Sequence, residues 1–144
     1  MNEGPHPIEV LLVEDDPGDI LLTVEAFEHN KVRNSLKIVG DGVEAMDYLR
    51  SGAERPDLVL LDLNLPRKDG REVLAEIKSD PALRSIPVVV LTTSKAEEDI
   101  YRTYDLGANS FITKPVSFEG LVAVMRDIGR YWIEIVELPP NHID

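Results

Sequence analysis

The sequence predicts an α/β fold in which five βα units build one doubly wound parallel sheet. Short aliphatic runs alternate with segments of helical periodicity along the chain, a spacing typical of βα repeats and not of a β-sandwich. The first and third of these runs are aliphatic on both faces, as expected of central strands that helices cover on both sides.

The element boundaries follow from these patterns. The predicted strands are Ile8–Val13, Leu36–Val39, Leu58–Leu61, Val88–Leu91 and Ser110–Thr113. The predicted helices are about Pro17–Asn30, Gly42–Ser51, Gly70–Ser79, Ala96–Leu106 and Phe118–Glu137. Because residues 138–144 form a tail too short to fold, we expect 1–144 to be one domain with a core of about 7–137 and no output domain.

Composition excludes several classes of function. The 144 residues suit one domain, and 27 acidic against 15 basic residues give a net charge of −12, which would repel the phosphates of nucleic acid. There is no cysteine for disulfide or thiolate chemistry. No apolar run reaches membrane-spanning length, and the N-terminal residues lack the pattern of a signal peptide. We therefore expect a cytoplasmic protein without nucleic-acid or membrane partners.

Both central strands end in carboxylates, in VLLVEDD at 10–16 and LVLLD at 58–62. Ligands of open parallel sheets bind beyond the carboxyl ends of the strands, where the winding reverses. We therefore expect Asp15, Asp16 and Asp62 in one crevice. Two like charges about 4 Å apart repel by roughly 4 kcal/mol at an effective dielectric of 20, so the crevice requires a cation. Oxygen ligands alone favour Mg²⁺.

Each carboxylate also has a structural interpretation. Asp16 before Pro17 has the pattern of a helix N-cap, Glu14 is explained as an ordinary charge at the strand end, and Asp15 as a solvated loop charge. Asp62 is harder to explain in this way, because no helix begins next to it. The set of carboxylates is therefore more informative than its members.

Two further polar residues end the fourth and fifth predicted strands. Thr92 closes VVVLT, and Lys114 closes SFITK. Either residue alone is common at a strand end or on a surface. Next to an acidic crevice, however, a hydroxyl, an ammonium and a metal would together stabilise a phosphoryl group during transfer. The pattern therefore predicts Asp62 as a nucleophile.

At this point the chain resembles the receiver domains of two-component response regulators. The resemblance covers nearly the whole chain and rests on VEDDPGD, LLDLNLPRKDG, VLTTS and FITKP, in that order. It implies a flavodoxin-like fold with strand order 2-1-3-4-5. The segments DGVEAMDYLR and YWIEIVELP are similar, more narrowly, to stand-alone regulators associated with bacterial and cyanobacterial phytochromes.

The resemblance implies a role for each matching residue at the acidic crevice. Asp62 would accept a phosphoryl group from a kinase phosphohistidine. Asp16, Asp62 and the backbone carbonyl of Asn64 would ligate Mg²⁺, and Asp15 would hold a metal-bound water. Lys114 would pair with the carboxylate or with a phosphoryl oxygen.

It also implies a conformational switch. Thr92 would move to bond the phosphoryl group, and Phe111 would turn inward in response. Asn64 and Ser94 would influence the attacking water and hence the lifetime of the phosphoryl group. The peptide bond before Pro115 would be cis and would direct the lysine amine into the crevice.

The implied protein is a signalling phosphoacceptor that catalyses only its own phosphorylation and dephosphorylation. Its partner would be a sensor histidine kinase, with a phytochrome among the candidates. The sequence leaves open whether phosphate passes onward to a histidine phosphotransfer protein.

The last predicted helix has an apolar arc of about half its circumference, wider than the roughly 100° of a surface helix. The expected core stripe is Phe118, Leu121, Val122, Met125, Trp132 and Val136. The residues that widen it are Val124, Ile128, Tyr131 and Ile135. They favour an isologous homodimer through the fourth helix, fifth strand and fifth helix. The alternative is that the tail at Leu138–Pro140 covers this surface.

Three rival functions are weaker. The residues from Gly40 to Ala45 fit the G-x-G-x-x-A pattern of dinucleotide sites, but they follow the second strand, and Asp41 and Glu44 would face a pyrophosphate. An FMN-binding flavodoxin would need a first loop rich in Ser, Thr and Gly, whereas this loop is EDDPGD. A receiver-like adaptor that never takes phosphate would not need the complete set of site residues.

Overall fold

Five parallel strands form one sheet with the order β2-β1-β3-β4-β5, which confirms the predicted doubly wound fold. The computed structural model describes residues 8–28, 34–52, 54–93, 97–115 and 117–135. The strands are β1 Ile8–Val13, β2 Asn34–Val39, β3 Leu58–Leu61, β4 Val88–Thr92 and β5 Ser110–Thr113. The helices are α1 Pro17–Glu28, α2 Gly42–Arg50, α3 Gly70–Ser79, α4 Glu97–Asp105 and α5 Phe118–Gly129, followed by a π-helical segment, Arg130–Ile135.

Successive side chains of the central strands point to opposite faces of the sheet and build two cores. One face, the α2/α3 core, contains Leu11, Val13, Val59, Leu61, Val88 and Val90 together with Ala45, Met46, Val73, Leu74 and Ile77. The opposite face, the α1/α5 core, contains Val10, Leu12, Leu58, Leu60, Val89 and Leu91 together with Phe27, Leu121, Met125, Ile128 and Trp132. The strands therefore lie between helices on both faces, and their carboxyl ends form one edge.

Several element boundaries differ from the prediction. β2 begins at Asn34 because it pairs with β1 along its whole length, from Ile8 opposite Asn34 to Val13 opposite Val39. β4 includes Thr92. The predicted end of α1 at residue 30 and the predicted start of α4 at residue 96 lie outside the described residues.

The last helix differs from the prediction in three respects. The α-helix ends at Gly129, a residue of low helix propensity, and a π-helical segment continues it. Phe118, expected in the core, is 65% exposed because it lies in the first turn, before the first core residue of this helix. Ile128, expected on the outer surface, is buried, because the core-facing stripe is Leu121, Met125, Ile128 and Trp132.

Two glycines bring the β3–α3 loop close to its neighbours. A Cβ on Gly70 would lie 2.2 Å from the carbonyl oxygen of Asp62, and a Cβ on Gly42 would lie 2.1 Å from that of Lys68. Asp41 caps α2 by accepting a hydrogen bond from the Glu44 amide. The close approach at Gly42 and the cap at Asp41 therefore give these two residues of the 40–45 pattern a structural role.

Within the described part of the chain, no helix is long and apolar enough to cross a membrane.

Candidate functional site

The polar side chains predicted for the site meet at the carboxyl edge of the sheet. Asp62 directly follows β3, and its amide donates a hydrogen bond to the Val13 carbonyl at the end of β1 (3.1 Å). Lys114 directly follows β5, and its amide donates to the Thr92 carbonyl at the end of β4 (2.7 Å). Backbone pairing therefore continues into the site and fixes the positions of both side chains.

The carboxylate group differs from the predicted one in one member. Oxygens of Glu14, Asp15 and Asp62 all lie within 4.8 Å of one another, whereas Asp16 does not belong to this group. Instead, the Asp16 carboxylate accepts a hydrogen bond from the Gly18 amide (2.9 Å), as expected of a residue at a helix start. The structure thus places Glu14 where the sequence analysis expected Asp16.

Strand alternation is the sequence signal that could have found Glu14. In the register of β1 and β3, Leu12 pairs with Leu60, and both lie in the α1/α5 core. Glu14 and Asp62 come two residues later, directly after their strands, and the continued alternation points both to the same face. Glu14 is only 3% exposed, so it is not an ordinary surface charge.

Lys114 lies at the centre of the site, and its ammonium is buried. Its Nζ donates hydrogen bonds to Glu14 Oε1 (2.6 Å), Asp19 Oδ2 (2.7 Å) and Asp62 Oδ2 (3.0 Å). Burial by itself would lower the pKa of Lys114, but the hydrogen bonds with Asp19 and Glu14 outweigh it and raise that pKa above its usual value. The lysine therefore stays charged.

Three carboxylates around one ammonium leave an excess of negative charge. Burial raises the pKa of Glu14 to about 7, although the hydrogen bond with Lys114 acts in the opposite direction. The nearby charge of Asp62 adds to the rise. Because of its burial and of this excess negative charge, Glu14 therefore changes its protonation state near neutral pH.

Asp19 is a site residue that the sequence analysis did not find. It is the third residue of α1, and acidic residues are common in the first turn of helices because they interact favourably with the helix dipole. The helix dipole already accounts for an acidic residue at this position. The contact of Asp19 with Lys114 was therefore not predicted, since the two residues are far apart in sequence.

Asn64 and Thr92 complete the surroundings of Asp62. The Asn64 amide donates to Asp62 Oδ1 (3.0 Å), and the Asn64 side-chain amide donates to Thr92 Oγ1 (3.3 Å). Thr92 is fully buried. The structure therefore brings together four of the predicted residues, Asp15, Asp62, Asn64 and Thr92, with Lys114 opposite them.

The other predicted residues lie around this centre. The side chain of Phe111 is partly buried against the α2/α3 core, and its backbone amide donates to the Tyr104 hydroxyl (3.1 Å). Ser94 lies outside the described residues. The prediction of a cis bond before Pro115 is wrong, since no described peptide bond is cis. The continued pairing of β5 with β4 already directs Lys114 into the site.

The predicted dimer face carries a groove of about 320 Å³ between β5 and α5. Val124 and Ile128 line it, together with Tyr131, which is 52% exposed. Ile128 also belongs to the α1/α5 core, so it forms the floor of the groove and not a free surface. The side chain of Ile135 lies outside the described residues.

Comparison with known proteins agrees with this geometry. The family model of the response regulator receiver domain matches residues 10–126. The chain belongs to this family. The receiver domain is also 45% identical over 143 residues to the response regulator Rcp1 of Synechocystis sp., covering 96% of this chain and 97% of that relative.

Two solved structures of cyanobacterial response regulators are similar to the receiver domain in fold and sequence. One is the Mn²⁺-bound form of Rcp1, with a TM-score of 0.90, 45% identity, and coverage of 93% of this chain and 100% of that one. The other is the phosphorylated cyanobacterial phytochrome response regulator RcpA, with a TM-score of 0.90, 49% identity, and coverage of 94% and 100%.

Proposed function

We propose that the protein is a response regulator in which Asp62 accepts a phosphoryl group from the phosphohistidine of a sensor histidine kinase. The observation that supports this most directly is the buried Asp62 carboxylate, with Lys114 on one oxygen and the Asn64 amide on the other. The similarity to RcpA, whose structure is phosphorylated, supports the same role.

In the proposed reaction, a carboxylate oxygen of Asp62 attacks the phosphorus atom and the P–N bond of the phosphohistidine breaks. The imidazole leaves with the electron pair of that bond and takes up a proton, while the acyl phosphate forms on Asp62. The ammonium of Lys114 stabilises the negative charge of the phosphoryl oxygens, and the Asn64 amide keeps the carboxylate oriented. Thr92 and then Phe111 would respond to the new phosphoryl group.

The carboxylate group fits a divalent cation. Glu14, Asp15 and Asp62 offer hard oxygen ligands within 4.8 Å of one another, and the similar protein Rcp1 binds Mn²⁺. We propose Mg²⁺ as the physiological ion, with Asp15, Asp62 and the Asn64 carbonyl as ligands and Glu14 in place of the predicted Asp16. When bound, the ion would offset the charge between the carboxylates and the incoming phosphoryl group.

The same proposal extends to the catalytic activity, the location and the partners of the protein. The protein would catalyse only its own phosphorylation and dephosphorylation, in the cytoplasm, where ATP supplies the histidine kinase. The similarity to RcpA supports a phytochrome as the sensor kinase. Onward transfer to a histidine phosphotransfer protein remains a prediction of the family resemblance.

Phosphotransfer assays test this function. Acetyl phosphate with Mg²⁺, and a phosphorylated phytochrome kinase, should each label the wild-type protein at one site, and Asp62→Asn should abolish the label. Asp57→Asn is a matched control, because Asp57 precedes the amino end of the same strand and accepts a hydrogen bond from the Glu9 amide (2.8 Å). Full labelling of Asp62→Asn would refute the assignment of Asp62 as the nucleophile. Full labelling of the wild type in excess EDTA would refute the requirement for a metal ion.

We also propose a homodimer through the α4, β5 and α5 face, with the groove beside Tyr131 at its centre. An apolar groove with a half-exposed tyrosine at its edge has the composition of an interface core. Phosphorylation would then bias the dimer through Thr92 and Phe111.

Light scattering tests the dimer. Val124→Asp combined with Tyr131→Asp should give folded monomers, whereas Leu21→Asp, an equally drastic change at an exposed leucine of α1, should leave the dimer intact. The buried Ile128 is not suitable for this test, because its replacement would damage the core. A wild-type protein that is monomeric at high micromolar concentration, with and without a phosphoryl analogue, would contradict the proposal.

A further inference from the structure

The contacts of Lys114 raise a question of stoichiometry. An ammonium has three N–H donors, and here three carboxylates accept from it: Glu14, Asp19 and Asp62. A phosphoryl oxygen on Asp62 would be a fourth acceptor. Lys114 can therefore bond a phosphoryl oxygen while keeping its bond to Asp62 Oδ2 only if Glu14 or Asp19 is released.

The three partners differ in how easily water could replace the lysine. The side chain of Glu14 is 4% exposed and that of Asp62 is 9% exposed, whereas that of Asp19 is 17% exposed. A carboxylate that loses its cation without gaining water carries a large desolvation cost. Asp19 is therefore the partner whose release costs least.

Asp19 is held in position by the packing of α1 against α5. Its carbonyl accepts a hydrogen bond from Thr23 Oγ1 (2.8 Å), and the same hydroxyl contacts Met125 Sδ (3.5 Å). The backbone of the first helical turn is thus fixed, while the carboxylate extends to Lys114 from the more exposed side. Only the side chain has to turn for the contact to break.

We propose that Asp19 is a positioning residue that holds Lys114 in the unphosphorylated protein and is exchanged for a phosphoryl oxygen when Asp62 is modified. This inference rests on the proposed function of Asp62. It assigns to Asp19 a direct competition with the phosphoryl group for the lysine. The carboxylate therefore lowers the affinity of the site for a phosphoryl group.

Binding of beryllofluoride, a phosphoryl analogue that coordinates the carboxylate, tests the competition at saturating Mg²⁺. Asp19→Asn should bind it about three- to tenfold more tightly, as expected when a partly screened, charge-assisted hydrogen bond no longer competes. Asp19→Glu, which restores a carboxylate, should return the affinity to within about twofold of wild type. The control Glu25→Gln removes one charge from the exposed face of the same helix and should change nothing.

A second measurement needs no substitution in the protein that is studied. The carboxyl ¹³C resonance of Asp19, assigned by its loss in Asp19→Asn, should move towards the position of a solvated carboxylate when beryllofluoride binds. The shift itself is measured on the wild-type protein, and a purely structural Asp19 would not show it.

The outcomes separate this inference from the function on which it rests. If the wild type binds no beryllofluoride and takes no phosphate, the proposed function of Asp62 fails and the role of Asp19 fails with it. If the wild type binds normally but Asp19→Asn binds equally or more weakly, or the Asp19 resonance does not move, only the exchange proposed for Asp19 is overturned.

Discussion

Two lysines with restricted exposure show how the same side chain serves different purposes in this fold. Lys114, at the carboxyl edge of the sheet, donates to three carboxylates, and its pKa is raised. Lys78, in the last turn of α3, donates to the backbone carbonyls of Arg84 (3.0 Å) and Ile86 (2.7 Å), and burial lowers its pKa.

The difference lies in the charge of the partners. Carbonyl dipoles satisfy the hydrogen bonds of Lys78 but do not compensate for lost hydration, so its charge makes no specific contribution. At Lys114, the negative charges of the carboxylates more than compensate for the lost hydration. The lysine therefore keeps the positive charge that the proposed phosphoryl transfer requires. In this fold, the charge of the partners therefore distinguishes the lysine of the site from the structural lysine.

The largest expected effect is on phosphorylation. Lys114→Met should slow labelling by acetyl phosphate about 100- to 1,000-fold, since it removes a positioned charge that stabilises the phosphoryl oxygens. Lys78→Met, the matched change at the structural lysine, should label within about twofold of wild type. Initial rates at saturating Mg²⁺ measure both. Equal losses in the two variants would mean that Lys114 also has only a structural role.

The next effect is on stability. In EDTA, Lys114→Met should lower the free energy of unfolding by about 3 kcal/mol or more, because three carboxylates lose their counter-ion. Mg²⁺ should restore part of this loss, since it supplies positive charge to the folded state only. Lys78→Met should cost about 1 kcal/mol, whether or not Mg²⁺ is present. Urea denaturation with and without Mg²⁺ distinguishes the two lysines, and an equal response to Mg²⁺ would contradict the comparison.

The smallest effect concerns pH. The folded-state pKa of Glu14, about 7, lies above its unfolded value of 4.5, so the folded protein binds more protons between these values. The resulting stability is complete below pH 4.5 and is lost as the pH rises through about 7. Relative to Glu14→Gln, the metal-free wild type should lose at most about 3 kcal/mol as the pH rises through this range. If the free energy of unfolding changes equally with pH in the two proteins, Glu14 is not the group that takes up the proton.

Sequence reasoning predicted the fold and the centre of the site because both follow from regular features. The aliphatic runs determined the five strands, and in a parallel sheet the residues that end neighbouring strands must meet. Asp62, Thr92 and Lys114 were found in this way without knowledge of any contact.

The missed features depend on information that a local pattern does not contain. Glu14 was judged as a single charge, although its register opposite Asp62 decides where it points. Asp19 has an ordinary explanation within its own helix. The exposure of Phe118 and the burial of Ile128 depend on how α5 packs on the sheet, which helical periodicity alone does not determine.

The central claim, that Asp62 is the phosphoacceptor, is tested most directly by locating the phosphoryl group. After reaction with acetyl phosphate and Mg²⁺, reduction with borohydride converts an aspartyl phosphate into homoserine, which mass spectrometry of peptides can assign to one residue. The account predicts homoserine at position 62 alone, and none in Asp62→Asn. Homoserine at position 15, 16 or 19, or no homoserine in a protein that takes up phosphate, would contradict it.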